Sequence, residues 1–150
     1  MDPQSFLSQK VNAALSTKRI AVPAGEYPAR VSKVDYRQMP NKQKPGEHFH
    51  IYEVTFAIDD ENAKAVTGLN EPTVRKSIFL ELGPDGLLDT SKGKNVDLGR
   101  FREAIGQNDP DKEWGFEDPV GAVCVIQVVN EPSADGQDTY ANVGKMGKLG

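Results

Sequence analysis

Apolar and polar residues alternate with period two along several stretches of the chain, and each such stretch predicts a strand. In EYPARVSKVDYRQ, Tyr27, Ala29 and Val31 share one face, while Arg30 and Ser32 share the other. The basic, Pro- and Gly-punctuated loop MPNKQKPGE follows, and then a second strand, EHFHIYEVTFAID, which is apolar on both sides. The third strand is TVRKSIFLEL, with Val74, Ile78, Leu80 and Leu82 on one face and Arg75, Ser77, Phe79 and Glu81 on the other. The polar run DDENAKAVTGLNEP between strands two and three reads as a loop. After the turn GPDG, the period changes: Leu98, Phe101 and Ile105 in NVDLGRFREAIGQN stand at helical spacing. Asn95 or Asp97 can cap this helix and Gly106 can end it. GAVCVIQVVNE reads as a strand buried on both faces, and TYANVGKM as a short last strand after the turn NEPSADGQDT. At the N-terminus, Phe6, Leu7, Val11, Ala14 and Leu15 predict a short amphipathic helix or a loosely attached arm, ended by Pro23 and Gly25.

The order is therefore three strands, one helix, two strands, without the strand–helix–strand alternation of a parallel sheet. The simplest closure is an all-β, five-stranded OB-fold barrel with the helix between strands three and four, a fold whose strand two–three face binds oligonucleotides or sugars. Residues 1–22 are expected to form the N-terminal arm and 23–150 the barrel domain.

Composition narrows the class. At 150 residues and 37% hydrophobic content, one domain can bury roughly 68–70% of its unfolded surface and needs no disulfide or metal to fold. The single cysteine, Cys124, sits in an apolar run and reads as a buried small hydrophobe. No apolar run approaches the about 18 residues of a membrane helix, and MDPQSFLSQK lacks a signal-peptide pattern. The expectation is a cytoplasmic protein with no membrane partner. A net charge of −4 does not advertise a polyanion, but the charges are segregated. Lys18 to Lys44 carries seven bases against two acids, and Asp109 to Asp138 eight acids against one base.

Both histidines lie in the second strand. His48 and His50 would share one side of it, but Glu53, an odd number of residues away, points to the other, and no third histidine exists to complete a catalytic metal site. A G-x-S-x-G nucleophile elbow, a Walker pattern and a dinucleotide fingerprint are all absent. The acids Asp59, Asp60 and Glu61 read as a solvated loop, and Trp114, in an acidic loop, as a packing residue.

The remaining chemistry is aromatic and basic. If Val54, Phe56 and Ile58 line the core, then Phe49, Ile51, Glu53 and Thr55 face outward, joined by Arg75 and Phe79 from strand three. Strand one adds Arg30 and, after a bulge, Val34 and Tyr36. Apolar rings beside cations suit a single-strand binder, whose bases stack while lysines and arginines follow the phosphates. The same rings could be buried in an oligomer, which makes a protein–protein assembly module the competing reading.

The segments VPAGEYPARVSKV, HIYEVTFAIDD, KSIFLEL, NVDLGRFREAIGQN, GAVCVIQVVNE and YANVGKM, in this order, resemble the small OB-fold single-stranded DNA-binding proteins of tailed bacteriophages. The resemblance runs from about Val22 to Met146. It implies a binder of single-stranded DNA without sequence preference, acting in phage replication or recombination in the host cytoplasm. It also implies no catalytic activity; no cofactor is expected, and phage replication or recombination proteins, or further copies of the chain, are candidate partners. The expected contacts are Arg30, Lys33, Arg37, Arg75, Lys76 and Lys145 for phosphates, and Tyr36, Phe49 and Phe79 for bases. Many single-strand binders end in an acidic tail, whereas this chain ends KMGKLG. Either the tail is absent, or it was removed, or partner recruitment uses another surface such as Asp109 to Asp118.

Overall fold

A computed structural model describes residues 2–150. Its centre is one antiparallel five-stranded sheet in the order β3-β2-β1-β4-β5, formed by β1 (Gly25–Pro40), β2 (His48–Ile58), β3 (Thr73–Leu80), β4 (Val123–Pro132) and β5 (Thr139–Gly147). All five strands fall on the stretches predicted for them. The sheet is not closed: β3 and β5 are its two edges and approach each other without pairing.

Three helices accompany the sheet: α1 (Pro3–Leu7), α2 (Glu61–Thr67) and α3 (Val96–Ala104). The last is the expected helix between strands three and four, and it presses Leu98, Phe101 and Ala104 into the core. Gly106, in the left-handed region at φ +71°, follows its end. Its start is unusual. Asn95 occupies the N-cap position at φ +52°, yet its side chain caps nothing. Instead Nδ2 donates to the carbonyls of Glu81 (2.9 Å) and Asp89 (2.8 Å), and Oδ1 accepts from the Glu81 amide (2.8 Å). Asn95 thus ties the end of β3, the 82–94 loop and α3 together.

Two expectations fail locally. The polar run after β2 is not a loop throughout but holds α2, capped by Asp60 accepting from the Ala63 amide (2.9 Å) and ended by left-handed Gly68. Only Ala63 of this helix is buried, so it shows no apolar stripe. β4 is buried on one face only: Cys124, Ile126 and Val128 point into the core while Val123 is half exposed. At the N-terminus the helix spans only Pro3–Leu7, and Phe6, Leu7, Val11, Leu15 and Ile20 are all exposed. The body takes over at Val22, which is buried and whose carbonyl accepts from Asn130 Nδ2 (2.9 Å).

The core lies between one face of the sheet and α3. Phe56 and Tyr52 both meet Phe101 edge-on, Tyr52 meets Phe116, and Phe116 meets Trp114. Trp114 packs against this core, with Nε1 donating to Gln107 Oε1 (2.9 Å) and the Arg102 guanidinium over its ring at 4.4 Å.

Replacing Asn95 with alanine removes three hydrogen bonds and leaves a Cβ-bearing residue at positive φ. Urea unfolding is expected to show a loss of about 1–3 kcal/mol for Asn95→Ala, with Asn95→Gly about 1 kcal/mol milder because glycine accepts the left-handed backbone.

Candidate nucleic-acid interface

The outer face of β1, β2 and β3 is laid out by register. Cross-strand rows run Met39–Phe49, then Arg37–Ile51–Phe79, Asp35–Glu53–Ser77 and Lys33–Thr55–Arg75, and end at Arg30–Ala57–Thr73. A bulge at Ser32 sets this pattern on β1: pairing jumps from Val31↔Phe56 to Lys33↔Thr55. The strand's alternation flips there. Val31 points inward before the bulge, and Val34 and Tyr36 point inward after it, opposite Val54 and Tyr52. The expected bulge exists, but it sends Lys33, Asp35 and Arg37 outward rather than Val34 and Tyr36.

At one end of this face Phe49 and Phe79 meet edge-on, ring centroids 5.5 Å apart, both partly exposed at 38% and 49%. Between them and Arg37 lies Ile51, which is fully buried although it is not part of the main core. It is therefore not an open contact residue but the apolar floor on which exposed side chains stand. At the centre, Glu53 accepts from Arg37 Nε (3.3 Å), Arg75 (3.4 Å) and Ser77 Oγ (3.4 Å). Glu53 is largely covered, while both arginines remain exposed. Each guanidinium has five N–H donors in a rigid fork, so a single contact to Glu53 orients it and leaves donors free. At the other end Arg30 pairs with Glu71 (3.2 Å) beside a 450 Å³ hollow that also reaches Ala57 and Lys64. Lys33 pairs with Asp35 (3.2 Å).

The structure therefore gathers Arg30, Lys33, Arg37, Phe49, Arg75 and Phe79 on one face and separates the other three nominated residues from it. Tyr36 lies on the inner side beyond the core, its hydroxyl 2.6 Å from His50 Nδ1 and its ring stacked near that imidazole. Lys76 is opposite Val54, on the core side of β3. It lines a 660 Å³ groove with Lys145, Arg100 and Lys148, between β3, α3 and β5. Arg100 and Lys148 are paired there with Asp97 and Glu103, whereas Lys76 and Lys145 have no ion pair among the described residues. Alternation alone could have placed Lys76, since it is even-numbered with Val74 and Ile78, both of which are buried. Glu53 was missed as an organiser because its partners come from two other strands.

His48 and His50 share a face, as their spacing requires, and no group of three metal-ligating side chains gathers among the described residues. Cys124 is buried in the core, and burial pushes its thiol up to about 11. Burial, aided by Asp118, also raises the Tyr52 phenol well above its ordinary value. That hydroxyl donates to the Phe116 carbonyl (2.5 Å) and holds the 116–117 segment against the sheet. Among the described residues, no helix is long and apolar enough to cross a membrane.

No known family model matches the chain, and a search of curated proteins finds no match.

Thiolate is the reactive form of cysteine. The folded protein is accordingly expected to resist iodoacetamide at pH 8 and to alkylate rapidly in urea. Fast labelling of the folded chain would place Cys124 at the surface. Tyr52→Phe, which removes the hydrogen bond to the Phe116 carbonyl, is expected to lower stability by about 1 kcal/mol in the same unfolding assay.

Proposed function

We propose that the protein binds single-stranded DNA, without sequence preference and without catalysis, across the outer face of β1, β2 and β3. The observation that carries the reading is the pairing of partly exposed Phe49 and Phe79 over buried Ile51, beside two arginines oriented by one carboxylate. Rings held on an apolar floor are pre-positioned for bases. Each stack contributes about 1–3 kcal/mol and tolerates any base. Phosphates run past Arg37, Arg75, Lys33 and Arg30. These cations are ion-paired, but exposed pairs are worth only about 0–1 kcal/mol, so a phosphodiester can compete for them.

The strand order supports the finer reading of an OB barrel opened between β3 and β5, in which β1 joins the β2–β3 and β4–β5 halves. With the resemblance of AGEYPARV and LGRFREAIG, it favours a bacteriophage protein of replication or recombination, working in the host cytoplasm beside the proteins of those processes. The outer face is close to neutral, with Asp35, Glu53 and Glu71 set against its four cations. Stacking thus has the larger share of the affinity.

Titration of labelled oligo-dT at two salt concentrations tests this. Binding should exceed that of a duplex control, and log K should fall with log salt by about 0.7 per phosphate contacted. Phe79→Ala, at a half-exposed site, should weaken binding by about 1–3 kcal/mol while leaving the unfolding midpoint nearly unchanged. Duplex preference or no binding would reject the reading and favour the face as a protein contact.

A further inference from the structure

Two apolar surfaces are left without a partner. The first is the N-terminal arm, where Leu7, Val11 and Leu15 are 71–78% exposed. With Ala14 they stand at i, i+4, i+7 and i+8, one stripe of a helix longer than the five residues that α1 forms. The second is a 440 Å³ groove on the other side of the sheet from Phe49 and Phe79, lined by Tyr36, Tyr52, Leu80, Leu87 and Phe116. Leu87 is 68% exposed at its edge.

Their charges are complementary. Residues 2–20 carry Lys10, Lys18 and Arg19 against Asp2 alone. On this side of the sheet the groove's acidic side chain is Glu117, part of the acidic stretch from Asp109 to Asp118; Asp35 borders the groove, but its carboxylate is on the outer face with Lys33. The arm, however, leaves the body far from the groove. Arg19 to Val22 lie beside Thr73 to Ser77, at the start of β3, and the Arg19 amide is bound to Asp138 (3.3 Å). The groove begins at Leu80, at the other end of β3, about 10 Å beyond Ser77 and about 23 Å beyond Thr73 at roughly 3.3 Å per residue.

We propose that this groove receives the N-terminal arm of a second copy of the chain. Leu7, Val11 and Leu15 enter the apolar trough, and Lys10 and Lys18 meet Glu117 and the acidic stretch it belongs to. Each copy offers one arm and one groove, so the contact is head-to-tail, or reciprocal if two copies exchange arms. It stands independently of DNA binding, because the groove lies on the opposite side of the sheet from Phe49 and Phe79.

The test uses two full-length variants altered at exposed positions: an arm variant, Val11→Asp with Leu15→Asp, and a groove variant, Leu87→Asp. Sedimentation velocity is run over a wide concentration range, with circular dichroism checking that each variant keeps the parent fold. The parent chain is expected to self-associate with rising concentration and each variant to stay monomeric. An equimolar mixture of the two variants is expected to recover a one-to-one dimer, since it supplies one intact arm and one intact groove. A parent chain that is monomeric throughout, as it would be if the arm bound its own groove, overturns the proposal. So does association that survives both variants, or a mixture that remains monomeric.

Discussion

The Ser32 bulge in β1 is the constraint on which the surface depends. β1 is shared by both halves of the sheet, pairing with β4 through Gly25–Arg30 and with β2 from Ala29 onward. Tyr27, Ala29 and Val31 face the core in the first part. Without an extra residue, Lys33 would follow them inward to the partly buried place that Val34 fills against the core, at a desolvation cost for its charge. The bulge instead turns Val34 toward the core and places Lys33, Asp35 and Arg37 on the outer face. One inserted residue thus protects the core and aligns Arg37 with Ile51 and Phe79.

The outer face then works by arrangement more than by charge. Its four cations are nearly balanced by three acids, as the chain's net charge of −4 would suggest. Glu53 has the central part. Its carboxylate reduces the local positive charge but holds Arg37 and Arg75 in place, so less side-chain freedom is lost when an anion arrives. Buried Ile51 does the same for the rings. Under the proposed reading, such a face attracts a polyanion weakly from a distance and holds it by stacking at contact. The more cationic groove around Lys76 and Lys145 lies on the far side of β3.

The strands and α3 were legible because each has one buried face, and burial leaves a period in the sequence. β4 misled because its outward residues are apolar too: Val123 and Val125 look buried in a sequence but have no layer above them. α2 was hidden for the converse reason, since a helix that buries only Ala63 has no stripe to detect. The outward face was read correctly for Arg30, Phe49, Arg75 and Phe79. It was misread for Tyr36, because the position of a bulge depends on how β1 pairs with β2 and not on its own residues. The coupling of Glu53 to two arginines, like the tie from Asn95 to Glu81 and Asp89, joins residues distant in sequence and leaves no local pattern.

The central claim is that one side of the β1–β2–β3 sheet, and not the other, carries the DNA. Side-chain and amide NMR spectra recorded on adding a short oligo-dT test it most directly, because they report each face separately. The account predicts that perturbations centre on Phe49, Phe79, Arg37 and Arg75 and extend toward Arg30, with Tyr52, Leu87 and Phe116 unmoved. Perturbations confined to the opposite side, or to the acidic stretch from Asp109 to Asp118, would contradict it.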